Sequence, residues 1–250
     1  DIYFPSLTKY AEEKGIGIFV YVNQRALYKQ LDEILPLYKK WGIKGIKFGF
    51  VQIGNQKWST WLHDAIKKCA QYEILVDIHD EYRPTGFSRT YPNLLTQEGI
   101  RGNEEFPDAT HNTVLPFTRF LAGAADYTIC YYDKRLKNTH AHQLAMAAVY
   151  YSPLQFLYWY DNPKSYEKEP EIEFFDKIKT IWDETKAIDG EIGEFVTIAR
   201  RSGEDWFLGT LGNNNARSIS TPLSFLKHGQ QYIANIYTDD DNIQTKTKVK

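Results

Sequence analysis

At 250 residues, with 42% apolar and 25% charged side chains, the chain is long enough for one large domain or two smaller ones and has the make-up of a globular fold. A net charge of −2, with lysines and arginines dispersed among acids, gives no basic face and argues against a nucleic-acid partner. No apolar run approaches the roughly 20 residues that span a bilayer, so no membrane partner is expected; Cys69 and Cys130 are too few for a disulfide framework and read as buried free thiols.

Leu7, Tyr10 and Ala11 belong to an amphipathic helix that stops at Lys14-Gly15. Ile16 to Val22 is a near-continuous apolar run, the pattern of a parallel strand covered on both faces. A helix from about Arg25 to Trp41 sets Leu27, Leu31, Ile34, Leu35 and Tyr38 on one face and ends at Gly42. Ile43 to Phe50 reads as the next strand, Trp58, Leu62, Ala65, Ile66 and Cys69 as the next helix face, and Ile74 to Ile78 as a third strand. A polar loop follows, then a short strand at Leu94 to Thr96, a helix at Val114 to Ala122, and a strand near Tyr127 to Cys130. A helix over His140 to Tyr150, a sixth strand at Leu154 to Tyr158 and a helical stretch at Phe174 to Trp182 complete the alternation. From about Glu191 the texture changes to short alternating segments, FVTIARR, DWFLGTL, STPLSFL and QYIANIYTD, that read as antiparallel strands.

Repeated βα units mean either a doubly wound sheet or a (β/α)8 barrel. No glycine-rich phosphate loop follows any strand, which weakens the nucleotide-binding option. The expected fold is therefore α/β: a (β/α)8 TIM-type barrel over residues 1–188, incomplete with strands three to eight, then a C-terminal all-β sandwich domain over 189–250, cut short. Six strands leave two to be supplied upstream of Asp1. A barrel places its active site at the carboxyl ends of its strands. Those ends are Asn23-Gln24, Gly49 to Gln52, His79-Asp80, Glu98, and Trp159 to Asp161.

The strongest local signal is the stretch VDIHDEYRPTGFSRTYPNLLTQEGIRGNEE. It carries Asp77, Asp80, Glu81, Glu98, Glu104 and Glu105 directly after a buried strand, with Arg83, Arg89 and Arg101 among them. Glycosidic cleavage needs one carboxylic acid to protonate the leaving oxygen and a second carboxylate opposite it. Oxygen ligands from several chain positions also suit calcium, and a salt-bridged loop would account for the same charges.

Here the sequence resembles a known family. IHDEYRPTGFSRTYPN followed by EGIRGNE, together with WGIKGIKFGFVQIG, LPFTRFLAGAADYT, SPLQFLYWYDNP and IWDET, is similar to the barrel of glycoside hydrolase family 97, a group of α-glucosidases and α-galactosidases. The resemblance runs over essentially the whole chain. It implies an N-terminal β-sandwich that helps complete the site, the barrel, a C-terminal β-domain, a bound calcium ion, an oligosaccharide substrate, and a periplasmic or secreted location. By motif, Glu104 matches the family's general acid. Asp80 matches a base and calcium-ligand position, and Glu98 a further calcium-site acid, so Asp80, Glu98 and Glu104 form the expected metal set.

Two positions depart from the family pattern. Gly49 stands where retaining members carry an aspartate nucleophile, and Asn23-Gln24-Arg25 where inverting members place a glutamate base. Asp80 is then the expected activator of water, with Asp126 or Asp161 as helpers. The expectation is an exo-acting, calcium-dependent α-glycosidase that inverts configuration, with Glu104 and Asp80 as catalytic pair. His79, Trp159 and Asp161 are the expected substrate contacts; His79 equally suits a structural hydrogen bond, and Trp159 equally suits packing. The rival reading is a non-catalytic or degenerate carbohydrate-binding barrel.

Overall fold

The computed structural model describes residues 3–162 and 169–250. It divides into two compact units, Asp1–Ile100 with Ala124–Asp126, and Arg101–Gly123 with Tyr127–Lys250.

The first unit alternates helices and strands: α1 (Phe4–Glu13), β1 (Phe19–Asn23), α2 (Gln24–Trp41), β2 (Gly45–Gly49), α3 (Gln56–Gln71), β3 (Leu75–Ile78) and β4 (Leu94–Gln97). Helix boundaries follow from local chemistry. The Asn23 side chain accepts a hydrogen bond from the Arg25 N–H at 2.8 Å, and Asn55 accepts from Trp58 N–H at 3.1 Å, capping the starts of α2 and α3. Gly42, at φ 78°, closes α2 in the left-handed conformation that costs other residues most. The strands form one parallel sheet in the order β1-β2-β3-β4, as the apolar runs predicted. Leu27, Leu31 and Leu35 of α2 and Leu62, Ile66 and Cys69 of α3 pack with Ile46, Phe48, Val76 and Ile78 of the sheet into one core.

β2 is buried along its whole length, and its glycines make room for rings on β1. A Cβ built on Gly45 would lie 2.2 Å from the Phe19 ring, and one on Gly49 would lie 2.1 Å from the Tyr21 ring. Two aromatic side chains of β1 thus lie across the backbone of its neighbour.

The second unit holds α4 (Ala109–Val114), α5 (His140–Val149), α6 (Glu173–Lys177) and an antiparallel sheet, β5 (Glu184–Glu191), β6 (Phe195–Ser202) and β7 (Asp205–Gly212), in that order. α5 packs closely on β7 at Gly209, where a Cβ would stand 2.8 Å from the Ala145 carbonyl oxygen. The buried Arg200 of β6 donates to the carbonyls of Ala148 and Val149, at 2.7 and 2.9 Å, satisfying the open end of α5. Both cysteines are buried free thiols.

Several predicted elements change here. The strands expected near Tyr127 to Cys130 and at Leu154 to Tyr158 meet only as one antiparallel bridge, Cys130 to Tyr158. The helix expected over Val114 to Ala122 becomes 3₁₀ turns at Leu115–Phe117 and Arg119–Ala122, because Pro116 cannot donate and Gly123 ends the run. The stretch at Phe174 to Trp182 shortens to α6. The antiparallel sheet begins at Glu184 rather than Glu191, since polar β5 carries no apolar run to announce it. STPLSFL and QYIANIYTD, expected as strands, form none; one bridge, Asp239 to Val249, is what the C-terminal tail contributes.

Candidate active site

The carboxyl ends of β3 and β4 place three predicted residues together in the first unit. His79 and Asp80 follow β3, and Glu98 follows β4. Nδ1 of His79 lies 2.7 Å from Oε2 of Glu98, and the same carboxylate accepts the backbone N–H of Asp80. Asp80 sits at φ 67°, a sparsely populated conformation for a residue with a side chain. The hydrogen bond its N–H donates to the Glu98 carboxylate, and the 3.1 Å hydrogen bond from Val51 N–H to its own Oδ2, hold it there. Tyr21 meets the His79 ring edge-on, 6.0 Å between centroids.

One ligand atom from each of His79, Asp80 and Glu98 can be chosen so that all lie within 4.8 Å of one another. Two carboxylates at a strand mouth suit a hard cation, which wants oxygen donors. The imidazole does not, and its contact with Glu98 reads as an orienting hydrogen bond. The donor set therefore fits calcium through Asp80 and Glu98, which leaves most of a coordination shell to other oxygens.

Beneath this cluster lies an ionic group that sequence reading missed. Lys47, in the middle of β2, pairs with Asp77 of β3 at 3.0 Å and with Asp126, all three essentially without solvent exposure. Asp126 is fixed in turn by its N–H to the Gln97 carbonyl at 3.1 Å, so its carboxylate serves Lys47 and the helper role expected for it gives way. Burial acts to lower the Lys47 ammonium, and the two carboxylates more than reverse it. Burial and the neighbouring Asp126 push the Asp77 carboxyl up, against the pull of Lys47. Burial also raises Glu98, partly offset by His79. A lysine inside an apolar run was the available signal.

The second unit holds the remaining predicted residues. Glu104 lies in a 3₁₀ turn, Asn103–Glu105, pinned by the Asn103 N–H to the Tyr127 carbonyl at 2.9 Å. The Tyr160 hydroxyl donates to Oε1 of Glu104 at 3.0 Å. Tyr160 is itself held at φ 67°, and Phe106, next to the turn, at φ 47°. The Arg135 guanidinium spans both rings, 4.3 Å from the Phe106 centroid and 5.1 Å from that of Tyr160, while Asp133 grips it at 2.7 Å. Sequence reading singled out Glu104 but not Tyr160's bond to it, nor Arg135. Trp159 packs against Phe156 and Tyr160. Asp161, raised chiefly by burial, accepts the Tyr132 N–H at 3.3 Å.

The models of two family segments match this chain, one described as Glycoside hydrolase 97 over residues 1–100 and one as Glycosyl-hydrolase 97 C-terminal, oligomerisation, over residues 181–250. The chain belongs to glycoside hydrolase family 97. A retaining alpha-galactosidase of Bacteroides thetaiotaomicron is 31% identical over 97% of this family 97 chain and 39% of its own length. A probable retaining alpha-galactosidase of Streptomyces bingchenggensis is 32% identical over 88% of the chain and 36% of its own. The chain thus spans about two fifths of the length of the curated relatives it matches. A family 97 enzyme from Pseudoalteromonas sp. strain K8, solved with acarbose, superposes with a TM-score of 0.87 at 30% identity, covering 100% of this chain and 45% of that one. A beta-arabinopyranosidase at 24% identity, with a TM-score of 0.72 over 83% of this chain and 38% of that one, shares the fold.

These relatives correct one expectation. Inversion was inferred from Gly49 and Asn23-Gln24-Arg25, but both curated relatives are named as retaining enzymes. A missing carboxylate at one strand end removes one nucleophile and does not fix the stereochemistry, because other strand ends carry carboxylates of their own.

Proposed function

We propose that the whole protein is an exo-acting α-glycosidase that releases terminal α-galactosyl residues with retention of configuration. The observation that carries this reading is the 31% identity to a retaining alpha-galactosidase over nearly the entire chain. It is supported by the carboxylates grouped after β3 and β4. In this reading Glu104 protonates the glycosidic oxygen and later takes a proton from water. Retention requires a second carboxylate to form a glycosyl ester with the anomeric carbon. Gly49 has none to give, so the role falls to Asp80. His79 orients Glu98 and meets substrate hydroxyls, and Trp159 and Asp161 face the sugar.

Asp80, Glu98 and Glu104 are the proposed calcium ligands. The cation would supply fixed positive charge beside the reacting carboxylates. The proposed frame is a (β/α)8 barrel to which residues 1–188 contribute strands three to eight. A C-terminal β-sandwich follows over 189–250, with an N-terminal β-sandwich completing the site in a periplasmic or secreted protein. Superposition of the whole chain on a family 97 enzyme at a TM-score of 0.87 supports that frame.

The test is hydrolysis of 4-nitrophenyl α-galactoside and α-glucoside by the full-length protein, with and without a chelator, beside Glu104→Gln. A 2-fluoro-galactosyl fluoride should label Asp80 in the intact enzyme, read by peptide mass spectrometry. No turnover of either glycoside, or full turnover in Glu104→Gln, would sink the enzyme reading. Label on a residue other than Asp80 would sink its role. The packing of Tyr21 over Gly49 favours one second reading, a barrel that binds carbohydrate without cleaving it; binding without turnover would establish that one.

A further inference from the structure

An aromatic groove lies between α2 and α3 of the first unit, and none of the residues assigned above lines it. It is an open surface groove of about 570 Å³, lined by Tyr28, Gln56, Lys57, Thr60, Trp61 and Asp64. Its aromatic lining is Tyr28 and Trp61, backed by Trp58, and the three rings stand at steep angles to one another. Tyr28 meets Trp58 at 68° and 5.1 Å, Tyr28 meets Trp61 at 64° and 5.9 Å, and Trp58 meets Trp61 at 87° and 6.1 Å. Rings so disposed form a corner rather than a flat patch. Trp61 anchors the corner by packing on Phe48 of the core, 6.4 Å between centroids. Tyr28 remains 45% exposed, far more than helix packing requires of it.

The rim is polar. Gln56, Lys57, Thr60 and Asp64 are all exposed, and the Lys57 ammonium stands 5.3 Å from the centroids of both Tyr28 and Trp58. An aromatic floor under a rim of amide, hydroxyl, ammonium and carboxylate matches a pyranose, which offers an apolar C–H face and a ring of hydroxyls at its edge. The location agrees. α2 starts directly after β1, and α3 six residues after β2, so the groove borders the sheet edge where the strands end. The loop before α3 is fixed by paired bonds between Gln24 and Gln52, at 2.9 and 3.2 Å, so the groove has a firm wall.

We infer that this groove is an accessory, non-catalytic site that stacks a pyranose ring of an α-galactosyl oligosaccharide or polysaccharide on Tyr28 beside Trp61, with Trp58 holding the Tyr28 ring in place. The inference rests on the carbohydrate reading of the catalytic site, and the test separates the two. The full-length protein is run in native gels containing galactomannan, beside Tyr28→Ala, Trp58→Ala and Thr60→Arg, the last filling the groove without removing any aromatic packing. Turnover of 4-nitrophenyl α-galactoside is measured on the same samples. Wild type should be retarded, each variant should bind the polymer about tenfold more weakly, and turnover of the small glycoside should be unchanged. Equal retardation of wild type and Thr60→Arg overturns the site, as does absence of wild-type retardation, which would leave the groove to a protein contact. A parallel loss of small-substrate turnover in the variants also overturns it as an accessory site. Absence of turnover in wild type bears on the catalytic reading alone, because the gels still judge the groove.

Discussion

Lys47 has no water to fall back on, and neither do its two partners. Removing one member of such a buried group leaves charge without compensation, which costs about 3–5 kcal/mol, far more than the pair contributes over an apolar substitute. Lys47→Met should therefore lower the stability of the first unit by about that amount, measured by urea unfolding followed through its tryptophans. Lys47→Met combined with Asp77→Asn and Asp126→Asn should recover much of the loss, because the carboxylates then have no charge to strand. Equal losses in the single and triple variants would refute the argument. Tyr160 raises a different question at the same scale. Its hydroxyl bond to Glu104 fixes one carboxyl oxygen while Arg135 steadies the ring. Tyr160→Phe keeps the ring and removes the bond. A carboxyl free to rotate should show about a tenfold lower kcat on an aryl α-galactoside with KM little changed, since mispositioning costs the transition state more than the ground state. A rise in KM at constant kcat would instead place Tyr160 among simple binding contacts.

At the scale of elements, β1 and β2 interlock in a way that residue types alone do not announce. Phe19 lies against Gly45 and Tyr21 against Gly49 because β2 lacks side chains at those points. Gly45→Ala should cost about 1–3 kcal/mol through overpacking, and Phe19→Ala a comparable amount through the space it leaves. The double variant should cost clearly less than the two together, a coupling that thermal unfolding of the four proteins measures; strict additivity would mean that the ring simply swings aside. This interlock also marks how far the sequence was readable. β1 to β3 and their helices were legible because apolar residues crowd the strands, helical spacing sets out the faces of α2 and α3, and Gly42 marks where α2 ends; the caps at Asn23 and Asn55 went unread. Asp80, Glu98 and Glu104 were legible as members of a dense run of carboxylates after a buried strand, while their separate roles came only with the family resemblance. Lys47 with its acids was not, because the partners stand 30 and 79 positions away and meet only once the sheet and the Ala124–Asp126 segment are in place. In the second unit, segments rich in Tyr and Phe mimicked strands at Tyr127 to Cys130 and Leu154 to Tyr158. Their rings spend themselves on one another instead, as where Tyr131 meets Phe175 and Tyr132 stacks on Tyr158, so apolar content arose without a ladder.

For the molecule as a whole, a net charge of −2 means that general repulsion is weak near neutrality, so individual buried groups set the response to acid. His142 is the clearest of them in the second unit. It is half-buried, and burial pulls its imidazole down to about 4, while its Nε2 meets Asn112 Oδ1 at 3.1 Å. His140, on the same helix, is lowered as well, again mainly by burial. For a histidine whose folded value lies below its unfolded one, the unfolded chain binds more protons between the two. Its contribution to stability is then complete above the unfolded value near 6.5 and is lost as pH falls toward about 4. Glu98 works in the opposite sense, since burial raises it and protonation relieves the cost of keeping its charge buried. The two effects separate by location and by variant. His142→Gln keeps a donor toward Asn112 and removes the titration, so wild type should lose about 1–2 kcal/mol more than this variant between pH 7 and pH 5. Denaturant midpoints across that range provide the measurement. Parallel curves for the two proteins would show that His142 is already solvated enough to titrate normally, and the acid response would then belong to the carboxylates of the first unit.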